Sequence, residues 1–261
     1  MAAPPVGQPG KIRDHRLTYP TEYKLSTAAT ASPPVTLDVT KARFNMVEQQ
    51  VRPWDVADSA VLGLLGSLPR ETFVPAVYQG VAFADLDVPL TTPVQPGKCM
   101  LPPKVQARLL QDAAVQATDN VLDIGTGSGY MAAMLGSQAR SVRSIEIDGA
   151  LASQARLNLQ QAGITNVDVV HADAAANGFK ACETQAPYDL IVLGGSVAEV
   201  PAALLNLLKV GGRLVGIVGD EPMMRATLVT RATETAFTTE QPWDYVAPRL
   251  ANFPQPNRFT F

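Results

Sequence analysis

The sequence predicts an α/β fold: a doubly wound, mostly parallel sheet, with an N-terminal helical and loop cap and a C-terminal antiparallel extension. Three observations carry it. Short apolar runs alternate with helical stretches of about ten residues from Asn120 to Val218, which is the signature of consecutive βαβ units. A glycine-rich turn, Gly125-Thr126-Gly127-Ser128-Gly129, joins the first run to the first helix. Residues 225–241 are rich in Thr and alternate weakly, as a closing antiparallel pair does.

The elements follow in order. Residues 1–39 carry Pro4, Pro5, Pro9, Pro20, Pro33 and Pro34 in Ala/Thr/Ser-rich text without periodicity, and read as a poorly ordered leader. Residues 40–104 read as a cap. Val56, Ala60, Val61, Leu64, Leu65 and Leu68 recur at helical spacing, with Asp55 placed to cap the helix and Pro69 to stop it. Arg70 to Leu90 reads as loops around short helices, and Thr91 to Pro103 as a loop. Residues 105–261 form the main domain and its extension. Pro103 suits the first turn of a helix, and Val105, Leu109, Leu110 and Ala113 give that helix a buried stripe. Strands are expected at Asn120–Ile124, Ser141–Ile147, Val167–Val170, Tyr188–Leu193 and Arg213–Val218. Helices are expected at Met131–Leu135, around Leu151–Ala162 ended by Gly163, and over Val200–Leu208, closed by Gly211-Gly212.

Composition bounds the function. The 261 residues carry 21 Lys and Arg against 24 Asp and Glu, a net charge of −3, so bulk electrostatics do not favour nucleic acid as a partner. There is no apolar run long enough for a membrane helix and no secretory apolar segment near the start, and the expectation is a protein of the reducing cytoplasm. Two cysteines, Cys99 and Cys182, and two histidines, His15 and His171, are too scattered for a metal site or a disulfide framework.

The chemistry concentrates where the first strand enters the glycine turn. Glycines there let a ligand approach the backbone, and the helix that follows presents free N–H groups. A dinucleotide fingerprint survives only weakly, in the frame from Gly127 to Ala132. The acids favour a different ligand. Asp123 precedes the glycines, where a carboxylate repels pyrophosphate but suits the amino group of S-adenosylmethionine. Glu146, with Ile147 beside it, ends the next strand and suits ribose hydroxyls; Asp173, followed by Ala174, ends the third and suits an adenine amino group.

This segment resembles motif I of class I S-adenosylmethionine-dependent methyltransferases. Three further stretches narrow the resemblance to the protein-L-isoaspartate (D-aspartate) O-methyltransferase family. Leu68-Pro69-Arg70-Glu71-Thr72-Phe73-Val74-Pro75 resembles its VPR-x-x-FVP. Ala82 to Leu90 resembles its AY-x-D-x-PLP. Ala186-Pro187-Tyr188-Asp189, with Leu208 to Val215, resembles its APYD-x-I and LKPGGRLV. The likeness runs from about Ala42 to Gly219. It implies a Rossmann-like methyltransferase sheet, S-adenosyl-L-methionine as cofactor, and a protein or peptide carboxylate as methyl acceptor. The cofactor residues it implies are Asp123, Gly125, Thr126, Gly127, Ser128, Gly129, Glu146, Ile147, Asp173 and Ala174.

One stretch departs. The family's substrate loop reads G-Q-T-I-S-Q-P; here it is Gly97-Lys98-Cys99-Met100-Leu101-Pro102-Pro103. Leu101 stands in the serine's place and can neither donate nor accept a hydrogen bond. No catalytic residue is assigned on this basis; Lys98, Cys99, Met100 and Leu101 are the substrate-loop candidates. The alternatives are a related methyltransferase with another acceptor, a cofactor-binding protein without repair activity, and an NAD-linked oxidoreductase. A serine hydrolase built on Gly194-Gly195-Ser196 is set aside, because both histidines precede Ser196 in the chain.

Overall fold

The computed structural model describes residues 38–256; the leader expected over residues 1–39 lies outside them, apart from its last two positions. Those two already belong to the fold. Asp38 accepts a hydrogen bond from Lys41 N and caps α1, Val39–Met46. A π-turn over Val47–Val51 and a tight turn over Arg52–Trp54 lead to α2, Ser59–Ser67. The cap of α2 is Asp58, not Asp55. Asp58 has extended backbone and accepts from Ala60 N and Val61 N, whereas Asp55 sits at φ 59° and closes the preceding turn. Short 3₁₀ turns at Arg70–Phe73 and Ala76–Val81 follow. The expected loop over 91–103 contains a strand: β2, Cys99–Met100, pairs antiparallel with β1, Val88–Pro89. Pro103 opens α3, Pro103–Ala113, whose apolar stripe is buried.

The main sheet contains β3 (Asn120–Ile124), β4 (Ser141–Glu146), β5 (Val167–His171), β6 (Tyr188–Val197), β7 (Leu208–Asp220), β8 (Met223–Arg231) and β9 (Phe237–Asp244). Their order is β5-β4-β3-β6-β7-β8-β9. The first five run parallel, and β8 and β9 close the sheet antiparallel. The winding reverses between β3 and β6, and the cleft outside their carboxyl ends is where such sheets take ligands.

Strand alternation sends Val121, Leu190, Val192 and Val215 to one face and Leu122, Ile124, Ile191, Leu193 and Leu214 to the other. The first face packs against α3, α4 (Tyr130–Gly136), α5 (Gly149–Gln161) and the cap. The second has a thinner cover of 3₁₀ turns around Phe179 and Cys182, the four-residue α6 (Ala202–Leu205), and Phe253. The helix expected over Val200–Leu208 therefore shrinks to α6. Gly211-Gly212 lie within β7 instead of ending a helix. The β6–β7 register jumps there from Tyr188–Leu208 to Leu190–Arg213, and a Cβ on Gly212 would sit 2.9 Å from Tyr188 O.

The cap is pinned by a fully buried cation. Arg70 Nε donates to Ala82 O at 2.8 Å and Nη2 to Leu101 O at 2.6 Å, while Nη1 donates to Gln106 Oε1. Its guanidinium lies 4.9 Å from the centre of the Tyr130 ring. Burial pulls Arg70 down to about 10, still protonated at neutral pH, and pushes the Tyr130 phenol up. Arg70 thus joins cap, substrate loop, α3 and the first residue of α4. Among the described residues no helix is long and apolar enough to cross a membrane, and no cluster of His, Cys, Asp or Glu is able to hold a metal.

Candidate functional site

The site is built around the turn from β3 into α4. Gly125 takes φ +93°, which only glycine adopts without strain, and its N–H donates to Ile145 O. β6 approaches this turn so closely that a Cβ on Gly194 would lie 2.5 Å from Gly125 O. Beneath the turn runs a buried polar network. Thr126 Oγ1 and Ser144 Oγ are 2.6 Å apart, and Ser144 Oγ donates to Asp123 Oδ2 at 2.6 Å. Asp123 is fully buried and its Oδ1 has no hydrogen-bond partner. Burial pushes this carboxyl up to about 7; the Ser144 hydrogen bond opposes the rise, and the nearby Glu146 charge adds to it.

Glu146 and Asp173 stand on the cleft wall. Glu146 Oε2 accepts from Gly127 N at 2.7 Å and Oε1 from Asp148 N at 3.0 Å, which leaves lone pairs on both oxygens. Asp173 Oδ1 accepts from Ala175 N at 3.0 Å, and Oδ2 from Asn252 Nδ2 at 2.8 Å. The cleft encloses about 920 Å³ with its open mouth included. Gly125, Gly127, Glu146, Ile147, Asp173 and Ala174 all line it.

Four of the expected cofactor residues do not. Asp123 is fully buried beneath the turn and is held there through Oδ2 by Ser144. The Thr126 hydroxyl is turned to Ser144. Ser128 faces the helices: its Oγ accepts from Tyr130 N at 3.3 Å and its carbonyl from Asn158 Nδ2 at 2.9 Å. Gly129 packs against α5, its Cβ position 3.3 Å from Ala155.

The substrate loop closes the opposite wall with Lys98, Cys99 and Leu101. Met100 is the exception. It alternates inward along β2 and is buried in the core. Leu101 is buried too, held through its carbonyl by Arg70. Lys98 Nζ donates to Asp148 Oδ2 at the start of α5. Burial pushes the Cys99 thiol up to about 12, with the Asp87 charge adding to the rise, so it is a neutral thiol at pH 7 and a poor nucleophile. Ser196 is buried, donating to Ala247 O at 2.8 Å.

The third wall is the one that sequence patterning missed. Pro248, Arg249, Leu250, Ala251 and Phe253 line the cleft from the C-terminal segment. That segment is laid against β6 by Ser196 N donating to Pro248 O at 2.7 Å and Leu250 N donating to Ser196 O at 2.9 Å. It has neither strand nor helix periodicity, and its only local cue is the irregular run from Ala247 to Pro256.

The sequence profile of the protein-L-isoaspartate(D-aspartate) O-methyltransferase family matches residues 42–247. The chain belongs to that family. Its relatives include a Koribacter versatilis protein-L-isoaspartate O-methyltransferase, 38% identical over 72% of this chain and 81% of the relative. A Rhodopseudomonas palustris enzyme of the same name is 37% identical over 75% of this chain and 86% of its own length. Among solved structures, one protein-L-isoaspartate O-methyltransferase superposes with a TM-score of 0.65 at 22% identity, covering 81% of this chain and 65% of that one. A Plasmodium falciparum structure assigned to the same enzyme type, in complex with S-adenosyl-L-homocysteine, gives 0.64 at 17% identity over 81% of this chain and 98% of that one. At these identities the two structures establish the fold. The stretch that resembles the family's motif I lies in the β3 turn, and Gly97–Pro103, the stretch aligned with its substrate loop, runs through β2 to the first residue of α3.

Proposed function

We propose that this chain is an S-adenosylmethionine-dependent O-methyltransferase that methylates the carboxylate of L-isoaspartyl residues in proteins and peptides, a repair activity of the cytoplasm. The observation that carries the cofactor half is the pair of carboxylates, Glu146 and Asp173, at neighbouring strand ends beside a glycine turn. The residues fit the cofactor. Glu146 keeps lone pairs for ribose hydroxyls, Asp173 has an acceptor oxygen for an adenine amine, and exposed Ile147 offers an apolar face for a base. Asp123 supports the turn from below instead of meeting the ligand.

Bound there, S-adenosylmethionine supplies a methyl group on a cationic sulfur. A carboxylate acceptor is ionised at neutral pH and needs no general base. The protein's own task is then to orient the acceptor and exclude water, which is consistent with a site that has no paired acid and base. Leu90, Pro96 and Leu101 make the acceptor side largely apolar, and the loop covers the cleft.

Leu101 favours a second reading, in which the same cofactor site serves a different acceptor. Transfer of labelled methyl to an isoaspartyl peptide and to its aspartyl isomer decides between them. The isoaspartyl peptide is expected to be the better acceptor by at least about a hundredfold, as a site built around one carboxylate position discriminates. Equal rates with both peptides would remove repair and leave the second reading.

A further inference from the structure

We propose that Lys98 and Asp148 are positioning residues whose ion pair couples the seating of the substrate loop to the cofactor. The inference rests on the methyltransferase reading above. Residues 92–97 are exposed, and the backbone around them is held mainly by itself: Gln95 N donates to Thr91 Oγ1 at 3.0 Å, Lys98 N to Gln95 O at 3.2 Å and Leu90 N to Lys98 O at 2.9 Å. The side chains that follow, Cys99, Met100 and Leu101, offer no strong hydrogen bond. Among the described residues, the Lys98–Asp148 pair is the one polar tie from residues 91–98 to the parallel-sheet unit.

What Asp148 itself holds makes this tie consequential. Its Oδ1 caps α5 by accepting from Ala150 N at 2.8 Å and Leu151 N at 3.1 Å. Its backbone N–H donates to Glu146 Oε1, and Glu146 Oε2 accepts from Gly127 N. A continuous chain of polar contacts therefore runs from Lys98 through Asp148 and Glu146 to the glycine turn. It passes through the carboxylate that faces the cofactor. Any ligand that settles Glu146 also settles Asp148, and through it the loop. The Lys98 hydrogen bond, with those from the α5 amides, holds the Asp148 carboxyl below the usual range. Both side chains are partly exposed, at 31% and 21%, so the tie is open to solvent, salt and rearrangement.

The test compares wild type with Lys98→Met, Lys98→Arg, Asp148→Asn and the Lys98→Met/Asp148→Asn double variant. Asparagine caps a helix as well as aspartate, so Asp148→Asn removes the charge and keeps α5. Calorimetry measures S-adenosylhomocysteine binding with and without saturating isoaspartyl peptide; steady-state kinetics measures acceptor KM and kcat. In wild type the peptide is expected to tighten S-adenosylhomocysteine about fivefold, and the reverse then holds equally. Lys98→Met and Asp148→Asn abolish that coupling and raise acceptor KM about fivefold, a change within reach of a partly exposed ion pair. S-adenosylhomocysteine binding in the absence of peptide stays within about twofold of wild type. Lys98→Arg restores coupling, the double variant is no worse than either single one, and 0.5 M salt brings wild type to the variants' level. Coupling that persists in Lys98→Met, or additive losses in the double variant, would overturn the proposal. A wild-type protein that binds S-adenosylhomocysteine but never methylates the peptide removes the functional reading, and this inference with it. An active wild type with unaltered variants removes only the ion-pair role.

Discussion

The two walls of the cleft are held in opposite ways. On the cofactor wall, strand ends and turn amides satisfy one another within the sheet: Gly125 N reaches Ile145 O, Gly127 N reaches Glu146, and Asp123 is held by Ser144. On the acceptor wall, an exposed loop is held by one ion pair to Asp148 and, at its end, by buried Arg70 on the Leu101 carbonyl. The contrast means that the two walls tolerate substitution differently. A change among the mutually bonded groups strands a buried partner, whereas a side-chain change in the loop leaves its two anchors in place.

The comparison can be broken on the cofactor side in three ways, and the largest effect concerns pH. The Asp123 carboxyl titrates near 7 in the fold against an ordinary 3.8. The folded chain therefore keeps a proton that the unfolded chain has already lost, and stability falls as pH rises from about 4 to 7, by at most about 4 kcal/mol. Asp123→Asn removes this slope. Without ligand, its melting temperature is expected to exceed that of wild type at pH 8 and to differ less at pH 4. Parallel pH profiles for the two proteins would place the strain elsewhere. Next is Gly194→Ala. Its Cβ meets the backbone of Ile124 and Gly125 where β3 enters the turn; overpacking there costs about 1–3 kcal/mol and is expected to lower S-adenosylhomocysteine affinity by up to about a hundredfold in calorimetry. An unchanged affinity would mean that the β3 turn and β6 do not form one floor. The smallest is Glu146→Gln, which keeps the shape and loses charge-assisted hydrogen bonds. Affinity is expected to fall about tenfold with acceptor KM little changed. A larger effect on the acceptor than on the cofactor would reverse the assignment of the two walls.

How much was legible beforehand follows the same division. The short apolar run of β3, the glycine turn and the acids at successive strand ends are local patterns, and they located the sheet and the turn at the mouth of its cleft. Local pattern did not give side-chain direction. Asp123 precedes the glycines, which suggests a ligand contact, yet its side chain is fully buried beneath the turn and bonded to Ser144, 21 residues away. The Gly211-Gly212 pair has the look of a helix end, and only its pairing partner, β6, shows that it is a bulge in a strand. The C-terminal wall was the least visible. Pro248, Leu250 and Asn252 acquire their place from contacts with Ser196 and Asp173, more than fifty residues earlier in the chain. The Lys98–Asp148 pair likewise joins residues 50 apart, a contact that periodicity does not encode.

The central claim is that the cofactor lies between Glu146 and Asp173, over the glycine turn. A crystal structure of the protein with S-adenosylhomocysteine tests it most directly. The ribose hydroxyls are expected on Glu146, the adenine beside Ile147 and Asp173, and the sulfur directed toward Leu101 and the substrate loop. Density for the ligand elsewhere, or a saturated protein whose cleft stays closed by Leu250 and Phe253, would contradict it.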